Sequence, residues 1–344
     1  MKRNLFPLFI FSLVFFVSCK KDPAIPVDQT IEVEQPSYFP SPVYTFDNNT
    51  FTQDGFELGR MLFYDPVLSL DSTVSCATCH QQFAAFSNFD HPTSHGINSL
   101  FGKRNTPALY NLIWKTNFMW DGGVNNLEIQ PINPITNPIE MGETLENVLM
   151  KLNRQKKYID KVKLAFGVDS IDSQKLLKSL AQFMGAMSSN NTRYDDYLQG
   201  KPDAFNSSEL SGLNIFKEKC ASCHAEPLLT NNGFVNNGLD SIFSDSGRQK
   251  ITQLAEDAGK FKIPSLRNIA VTLPYMHDGR FNTLEEVVDH YSNGIVSSTT
   301  VDSTLPIGGF QFSVQQKTDL IIFLNTLTDD DFLHDARFSD PAFQ

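Results

Sequence analysis

Apolar residues recur at intervals of three and four positions through much of the chain, and no stretch keeps the strict alternation of a β-strand. Six segments have this helical spacing, and they are separated by polar stretches rich in Gly, Pro, Ser and Asn. The predicted helices cover residues 51–64, 144–158, 173–187, 210–220, 284–291 and 314–327. The pattern therefore predicts a mainly α fold.

The length of the chain favours two domains. A chain of 344 residues exceeds the usual size of a single hydrophobic core. The segment 190–202 is polar and divides the six predicted helices into two groups of three. The sequence therefore predicts an N-terminal domain at 46–195 and a C-terminal domain at 196–344.

The N-terminus has the pattern of an export signal. Lys2 and Arg3 precede an apolar run that is too short to span a bilayer and that ends at Ser18 and Cys19. We predict a lipoprotein signal at 1–19 and a lipid anchor on Cys19, which would hold the protein at a bacterial membrane. An ordinary cleaved signal that leaves a free Cys is the alternative. The Pro-rich segment 20–45 is predicted to be a flexible linker.

Two copies of the pattern Cys-x-x-Cys-His carry the chemistry of this chain. They consist of Cys76, Cys79 and His80, and of Cys220, Cys223 and His224. The two thiols of such a motif can form thioethers with one haem, and the imidazole that follows can ligate the iron. A split zinc site or a redox dithiol needs no His directly after each pair. The sequence therefore predicts two covalent c-type haems in an exported protein.

Composition and charge narrow the choice of partners. The net charge of −11, with no basic cluster, argues against nucleic acid as a partner. The 29 Phe residues suit aromatic walls around a flat macrocycle, although Phe-rich cores without a cofactor are also common.

An internal repeat links the two halves of the chain. Residues 118–128 recur in similar form as residues 275–285, and each copy follows one of the Cys-x-x-Cys-His motifs. An Arg-Asn pair precedes each copy, at Arg104 in the first half and at Arg267 in the second. Duplication of a haem-binding unit explains this shared order.

With these motifs the chain resembles the bacterial di-haem cytochrome c peroxidase family, including its MauG-like branch. The resemblance runs from about residue 51 to 327 and rests on the Trp-Asp-Gly at 120–122, the Asn-Pro-Ile-Glu-Met at 137–141 and the Phe-Lys-Ile-Pro-Ser-Leu-Arg-Asn at 261–268. It implies two cytochrome c-like helical domains with one haem in each. Family members reduce hydrogen peroxide to water with electrons from a small cytochrome c or cupredoxin.

The resemblance also implies roles for three side chains. Glu140 matches the acid/base residue beside the peroxidatic haem, which His80 would hold, and Gln130 matches its neighbour. Trp120 matches the tryptophan between the two haems. Without the resemblance, Glu140 reads as a solvated loop residue and Trp120 as a core residue.

The sixth ligand of the second haem iron is open. Peroxidases of the family use a Met in the helix after the His-Asp-Gly turn, but alignment places Tyr291 at that position, as in the MauG-like branch. Met276 is the alternative, and His290 is a third candidate. The choice matters because an oxygen ligand favours the ferric and higher states, whereas Met raises the reduction potential.

The loop after the first motif contains His91 and His95. Family peroxidases carry in this loop a His that caps the peroxidatic iron until the other haem is reduced. The family pattern places that His at position 97, which is Ile97 here. His95 is a possible substitute, and a plain surface role suits either His equally. If neither binds, the first haem is five-coordinate and needs no reductive activation.

A calcium ion commonly lies between the haems in this family. Asn105 matches its side-chain ligand, and Thr272 and Pro274 match its carbonyl ligands, which suit calcium chemically. Arg104 and Arg267 are candidates for binding the haem propionates, with ordinary salt bridges as the alternative.

The leading hypothesis is a periplasmic, lipid-anchored cytochrome c peroxidase. The alternatives are a MauG-like di-haem oxidase that modifies a partner protein and a di-haem electron carrier without peroxidase activity. Family peroxidases are often dimers, so a homodimer is also open on this analogy.

Overall fold

The computed structural model describes residues 32–89 and 91–343. The predicted signal at 1–19, the anchor at Cys19 and the first part of the predicted linker lie outside the described residues. The α-helices are α1 (Gln53–Tyr64), α2 (Cys76–Cys79), α3 (Ile132–Thr136), α4 (Leu145–Asn153), α5 (Lys156–Phe166), α6 (Ser173–Gly185), α7 (Arg193–Leu198), α8 (Ser207–Lys219), α9 (Gln249–Thr252), α10 (Leu284–Asp289), α11 (Val314–Asn325) and α12 (Asp330–His334). Two short antiparallel strands, β1 (Phe234–Val235) and β2 (Phe261–Lys262), pair with each other.

Shorter helical turns complete the described part of the chain. Turns of 3₁₀ type occupy Pro66–Leu68, Gln82–Ala84, Ile97–Ser99, Leu112–Trp114, Ala255–Asp257, Ile269–Val271, Ala336–Phe338 and Pro341–Phe343. A π-helical turn, His290–Gly294, directly continues α10. The mainly α prediction is confirmed. The predicted helix at 144–158 is wrong as a single element, because the backbone becomes extended at Gln155 and separates α4 from α5.

Side-chain caps explain where the main helices begin. The Thr52 hydroxyl accepts the Gly55 N–H at the start of α1. Reciprocal caps between residues three apart start α8, at Asn206 and Glu209, and α11, at Ser313. Pro66 follows α1 and prevents its continuation. The helix starts are therefore encoded locally.

Each half is built on one pair of helices that cross in close contact. A Cβ atom added to Gly59 of α1 would lie 1.9 Å from the Ser179 carbonyl oxygen of α6. A Cβ atom added to Gly212 of α8 would lie 2.0 Å from the Asp319 carbonyl oxygen of α11. Only Gly lets the backbones approach this closely, and both pairs carry one at the crossing.

Two hydrophobic cores correspond to these two helix pairs. The first contains α1, α5 and α6, and the second contains α8 and α11. Phe332, Leu333 and Phe338, which follow α11 in sequence, are buried in the first core. The C-terminal tail therefore returns to pack on the N-terminal half, which the division at residue 195 does not include.

The predicted linker and the predicted boundary segment both contain residues that pack in the structure. Phe39, in the predicted linker, is buried in the first core, the Tyr38 hydroxyl donates to the Asn190 carbonyl at 3.0 Å, and the Trp114 indole donates to the Pro40 carbonyl at 2.7 Å. For residues 38–40 the flexible-linker prediction is therefore wrong. The polar segment 190–202 contains α7, whose Tyr194 is fully buried.

The sequence repeat is also a structural repeat. Phe118 pairs with Val124 across a tight antiparallel bridge, and Tyr275 pairs with Phe281 in the same way. Met119 and Met276, which follow the first residue of each bridge, both have positive φ angles, 65° and 72°. A left-handed Met is uncommon, so its presence in both copies supports duplication.

Within the described residues, no helix has the length and apolar character needed to cross a membrane.

Candidate haem sites

The first Cys-x-x-Cys-His motif forms the short helix α2. The Ser75 N–H donates to the Thr78 hydroxyl at 3.1 Å, which fixes the turn that carries both cysteines. The Nδ1 atom of His80 lies 2.7 Å from the Phe86 carbonyl, so Nδ1 donates and the Nε2 lone pair stays available. Burial lowers the pKa of His80 to about 4, which keeps this imidazole neutral. A neutral imidazole oriented by a carbonyl is suited to ligate a haem iron.

The second motif follows α8 and repeats this arrangement. The Nδ1 atom of His224 lies 3.2 Å from the Leu229 carbonyl and 3.1 Å from the Pro264 carbonyl. Burial lowers the pKa of His224 to about 4. Burial also raises the pKa of Cys220 to about 12, with Cys223 raising it further. A buried protonated thiol would be a poor metal thiolate, whereas thioether formation with a haem removes the ionisable group.

The four motif cysteines are free of disulfides, as thioether attachment requires. Among residues 32–89 and 91–343, no three His, Cys, Asp or Glu side chains are grouped to hold a metal ion directly. The split zinc site therefore finds no support in the described structure. The donor set fits a haem whose iron takes only the imidazole from each motif.

A largely apolar cavity lies over the second motif. It is lined by both cysteines and His224 together with hydrophobic side chains of α8, α10 and α11, among them Phe216, Leu284, Val288, Leu320 and Leu324. An apolar cavity with an imidazole and two thiols at its base is the shape and chemistry that a covalent haem requires.

Tyr291 and Met276 both line this cavity. Burial raises the pKa of Tyr291 to about 12, and a hydrogen bond with Asn237 opposes that shift. Asn237 Nδ2 also donates to the Met276 sulfur at 3.5 Å. One amide thus contacts both candidate ligands. The choice between Tyr291 and Met276 stays a prediction.

The π-helical turn helps to place Tyr291. The turn begins at His290, directly before the predicted ligand Tyr291. The regular α-helical geometry of α10 therefore ends before Tyr291, which lies in the wider π-helical turn. His290 Nε2 lies 3.0 Å from the Asn237 carbonyl, which engages the ring nitrogen that a ligand would need. This contact favours Tyr291 over His290. Sequence reasoning missed Asn237, because it lies outside every repeated or family-like segment.

Glu140 lies close to the first motif. Burial raises the pKa of the Glu140 carboxyl, and the Asn137 amide, which donates to Glu140 Oε1 at 2.7 Å, opposes this rise. Burial raises the pKa of the Cys79 thiol, and the nearby Glu140 carboxylate raises it further. A Cβ atom on Gly96 would lie 2.5 Å from the Glu140 Cα, so the loop after the motif packs directly on Glu140.

Gln130 contacts the left-handed Met of the first hairpin, much as Asn237 contacts that of the second. Its amide donates to the Met119 sulfur at 3.7 Å, as Asn237 does to Met276. The structure gives Gln130 a contact with the first repeated hairpin, and its role beside the peroxidatic haem stays a prediction.

The loop after the first motif places its histidines beside Cys79. The Cys79 sulfur lies 3.8 Å from the His95 carbonyl, and the His95 ring packs between His91 and Phe101 at 4.9 and 4.3 Å. His95 Nε2 is buried without a hydrogen-bond partner among the described residues. Ile97, at the family's capping position, is buried, and its N–H donates to the Glu140 carbonyl at 2.8 Å.

Trp120 connects the two halves. Its indole donates to the Asn105 carbonyl at 2.8 Å, and its own carbonyl accepts the Lys262 N–H of β2 at 2.7 Å. It lines the cavity of the second motif together with Asn105, Thr272 and Pro274, the three predicted calcium ligands. The structure therefore brings those three residues to one cavity, while the calcium ion stays a prediction.

The two arginines of the repeated Arg-Asn pairs already have carboxylate partners. Arg104 bonds to Asp121 at 2.5 Å and to Asp245 at 2.6 Å. Arg267 is fully buried and bonds to Asp195 through two N–H groups at 2.7 and 2.8 Å. These contacts match the salt-bridge alternative, and a role of either arginine in binding propionates stays a prediction.

A helical scaffold with two oriented Cys-x-x-Cys-His motifs, each on its own helix pair and core, defines a c-type cytochrome with two haems. Comparison with known proteins identifies the family to which this cytochrome belongs. The sequence model of the family described as di-haem cytochrome c peroxidase matches residues 53–203. The chain is 34% identical to the methylamine utilization protein MauG of Methylorubrum extorquens, over 81% of this chain and 79% of that protein.

Two further matches agree. The chain is 31% identical to cytochrome c551 peroxidase of Nitrosomonas europaea over 80% of each chain. It superposes on the crystal structure of a MauG-like protein associated with microbial copper homeostasis with a TM-score of 0.82 and 32% identity, covering 91% of this chain and 100% of that one. The chain therefore belongs to the di-haem cytochrome c peroxidase family, whose members carry two haems.

Proposed function

We propose that the protein is a cytochrome c peroxidase that reduces hydrogen peroxide to water at the His80 haem. The observation that carries the proposal is the partly buried Glu140 carboxyl, held by Asn137 within electrostatic reach of Cys79. Bound at His80, the haem supplies an iron that accepts the peroxide and delivers electrons to it. Two electrons and two protons then convert one hydrogen peroxide to two water molecules.

Glu140 moves the proton in this reaction. Its carboxylate takes the proton from the oxygen nearest the iron and returns it to the departing oxygen, which leaves as water. The raised pKa of Glu140 suits both steps, since the group can hold and release a proton closer to neutral pH than an exposed carboxyl can. Asn137 holds the carboxyl in one orientation through its 2.7 Å hydrogen bond.

His224 would hold the second haem, which would supply electrons, and Trp120 would assist their passage. Trp120 lines the cavity of the second motif and is fixed by hydrogen bonds from both sides, so its position is well defined relative to that cavity. The electrons come from a small cytochrome c or a cupredoxin. The proposal further includes a calcium ion at Asn105, Thr272 and Pro274, a periplasmic location and a lipid anchor on Cys19. Sequence resemblance and the signal pattern support these points.

Glu140→Gln tests the peroxidase assignment. Steady-state turnover with hydrogen peroxide and a reduced small cytochrome should fall by about 10²- to 10⁴-fold, because the amide cannot shuttle a proton. The absorption spectra of both haems should stay unchanged. Glu146→Gln, at the exposed first turn of α4, is the matched control and should retain full turnover. Near-normal turnover of Glu140→Gln would remove the assignment.

A MauG-like oxidase that modifies a partner protein is the second candidate. Tyr291 in the cavity of the second motif favours it, since an oxygen ligand would stabilise oxidised states of that haem. The matches to MauG and to a MauG-like protein are consistent with this candidate.

Tyr291→Phe tests this second candidate. Loss of a phenolate ligand should change the visible and EPR spectra of the second haem while the first haem keeps its spectrum. An unchanged second haem would remove the support for tyrosine ligation and leave Met276 as the ligand. If neither Soret band of the wild-type protein changes when peroxide is added, the result would instead indicate a plain electron carrier.

A further inference from the structure

Three lysines line the cavity of the second motif: Lys219, which pairs with Glu218, and Lys115 and Lys262. Lys262 is the second residue of β2 and is 9% exposed, and Lys115 follows the turn Leu112–Trp114 and is partly buried. Burial lowers the pKa of Lys262 to about 8. Burial lowers the pKa of Lys115 well below its ordinary value, and the charge of Lys262 lowers it further. The two ammonium groups therefore lie close enough to repel each other.

Neither ammonium group has a carboxylate partner among residues 32–89 and 91–343. The structure gives the Lys115 ammonium a position 5.6 Å from the centre of the Tyr110 ring and gives neither lysine an ion pair. By contrast, the nearby Lys260 pairs with Asp257 at 3.3 Å, and Lys219 pairs with Glu218 at 2.8 Å. Buried cations are normally paired, so an anion in this cavity would stabilise the charged form of both lysines.

The chemistry of the cavity lining indicates which anion would bind there. Its base carries the two thiols and the imidazole of the second motif, and its walls are mostly apolar, which fits a porphyrin. The polar substituents of a c-type haem are two propionate carboxylates. Arg104 and Arg267 are already bonded to aspartates. We propose that Lys115 and Lys262 bind the two propionates of the second haem.

Lys262 also contacts Trp120. The Lys262 N–H donates to the Trp120 carbonyl at 2.7 Å, so the residue that holds a propionate also holds the tryptophan backbone. Lys262 is thus a positioning residue that fixes the edge of the second haem relative to Trp120. The inference rests on the second haem of the proposed function but not on peroxidase turnover.

Redox titration of the full di-haem protein tests the proposal. A cation beside a haem disfavours the ferric state, so Lys115→Met and Lys262→Met should each lower the midpoint potential of the second haem. We expect a shift equivalent to about a tenfold change in the reduction equilibrium, ~59 mV for one electron. The potential of the first haem should stay the same, and the resonance Raman propionate bands of the second haem should shift.

Lys260→Met is the matched control, because it removes a cation two residues from Lys262 that already has a carboxylate partner. Its second-haem potential should match that of the wild type. Lys262→Arg keeps the charge and should retain most of the wild-type potential. If Lys262→Met fails to assemble with two haems, Lys115→Met and Lys262→Arg decide the question.

An unchanged second-haem potential and unchanged propionate bands in the assembled methionine variants would overturn the proposal. Lysine-dependent potentials in a protein that does not turn over peroxide would contradict the proposed function and leave this inference standing.

Discussion

The two haem-motif halves share a frame and differ in the side chains that surround the haem. Each half has a helix pair crossing at a Gly, a Cys-x-x-Cys-His motif with Nδ1 bonded to carbonyl oxygen, and a hairpin with a left-handed Met. The first half then places a partly buried carboxyl, Glu140, near its motif. The second half places Tyr291 and Met276 in its cavity, together with two lysines that have no ion pair within the described part of the chain.

This difference shows where function was added to a duplicated unit. The repeated residues build a scaffold that orients an imidazole toward an iron. The residues proposed to decide between oxygen chemistry and electron transfer stand outside the repeated segments or differ between the copies. Asn137 and Asn237 illustrate this, because each positions candidate functional groups and neither has an equivalent in the repeat.

The arginines of the two Arg-Asn pairs differ in burial, and this difference provides the first test of the comparison between the two halves. Arg267 and Asp195 are both fully buried, whereas Arg104 is 20% exposed and has two carboxylate partners. Asp195→Asn should therefore reduce the free energy of unfolding by about 3–5 kcal/mol, because it leaves a buried guanidinium unpaired. Asp245→Asn should cost only about 1 kcal/mol. Denaturant unfolding of both variants measures the difference, and equal costs would contradict it.

The ion pair of Arg267 and Asp195 also predicts that the free energy of unfolding depends on pH. Burial raises the pKa of Asp195, but the hydrogen bonds and charge of Arg267 outweigh it, so the net pKa is below its ordinary value of 3.8. Its stabilisation is present above that value and is lost as the pH falls through the folded-state pKa. Unfolding curves between about pH 2 and pH 5 should show a shallower acid decline for Asp195→Asn than for the wild type. An equally steep decline would exclude this pair as the cause.

The helix crossings give a test of the shared frame. Gly59→Ala and Gly212→Ala each introduce a Cβ atom against a backbone carbonyl, at 1.9 and 2.0 Å. Both should lower the free energy of unfolding by about 1–3 kcal/mol, since the helices must move apart. Gly200→Ala, where a Cβ atom would meet nothing, is a spatial control, although its positive φ angle adds some strain. A large loss of unfolding free energy in only one of these two glycine variants would contradict the structural equivalence of the two helix pairs.

The smallest expected effect concerns the orientation of the proposed catalytic carboxyl of Glu140. Asn137→Ala removes the hydrogen bond to Glu140 Oε1 and should reduce peroxide turnover by about tenfold, or ~1.4 kcal/mol, with both haem spectra intact. Asn133→Ala, at an exposed position four residues earlier, is the matched control. The pH profile should also change, because loss of the amide removes its lowering effect on the pKa of Glu140. An unaltered rate and pH profile would show that Asn137 has no positioning role.

The local sequence determined the helices, the two haem motifs and the repeated hairpin. Their signals are short-range: apolar spacing, capping residues such as Thr52, and the Cys-x-x-Cys-His pattern act within a few residues of each other. For this reason the predicted helix positions agree with the structure to within a few residues. The single helix predicted at 144–158 failed where Gln155 adopts an extended backbone, a break that apolar periodicity does not report.

Tertiary structure alone decided which distant groups meet. The burial of Phe39 and of the tail at Phe332 in one core, the pairing of Arg267 with Asp195, and the contact of Asn237 with both ligand candidates all join residues far apart in sequence. The position of Lys115 and Lys262 in one cavity, away from every carboxylate that the structure describes, is likewise a result of tertiary packing. Desolvation depends on every atom that packs around a charge, and that environment exists only after the chain has folded.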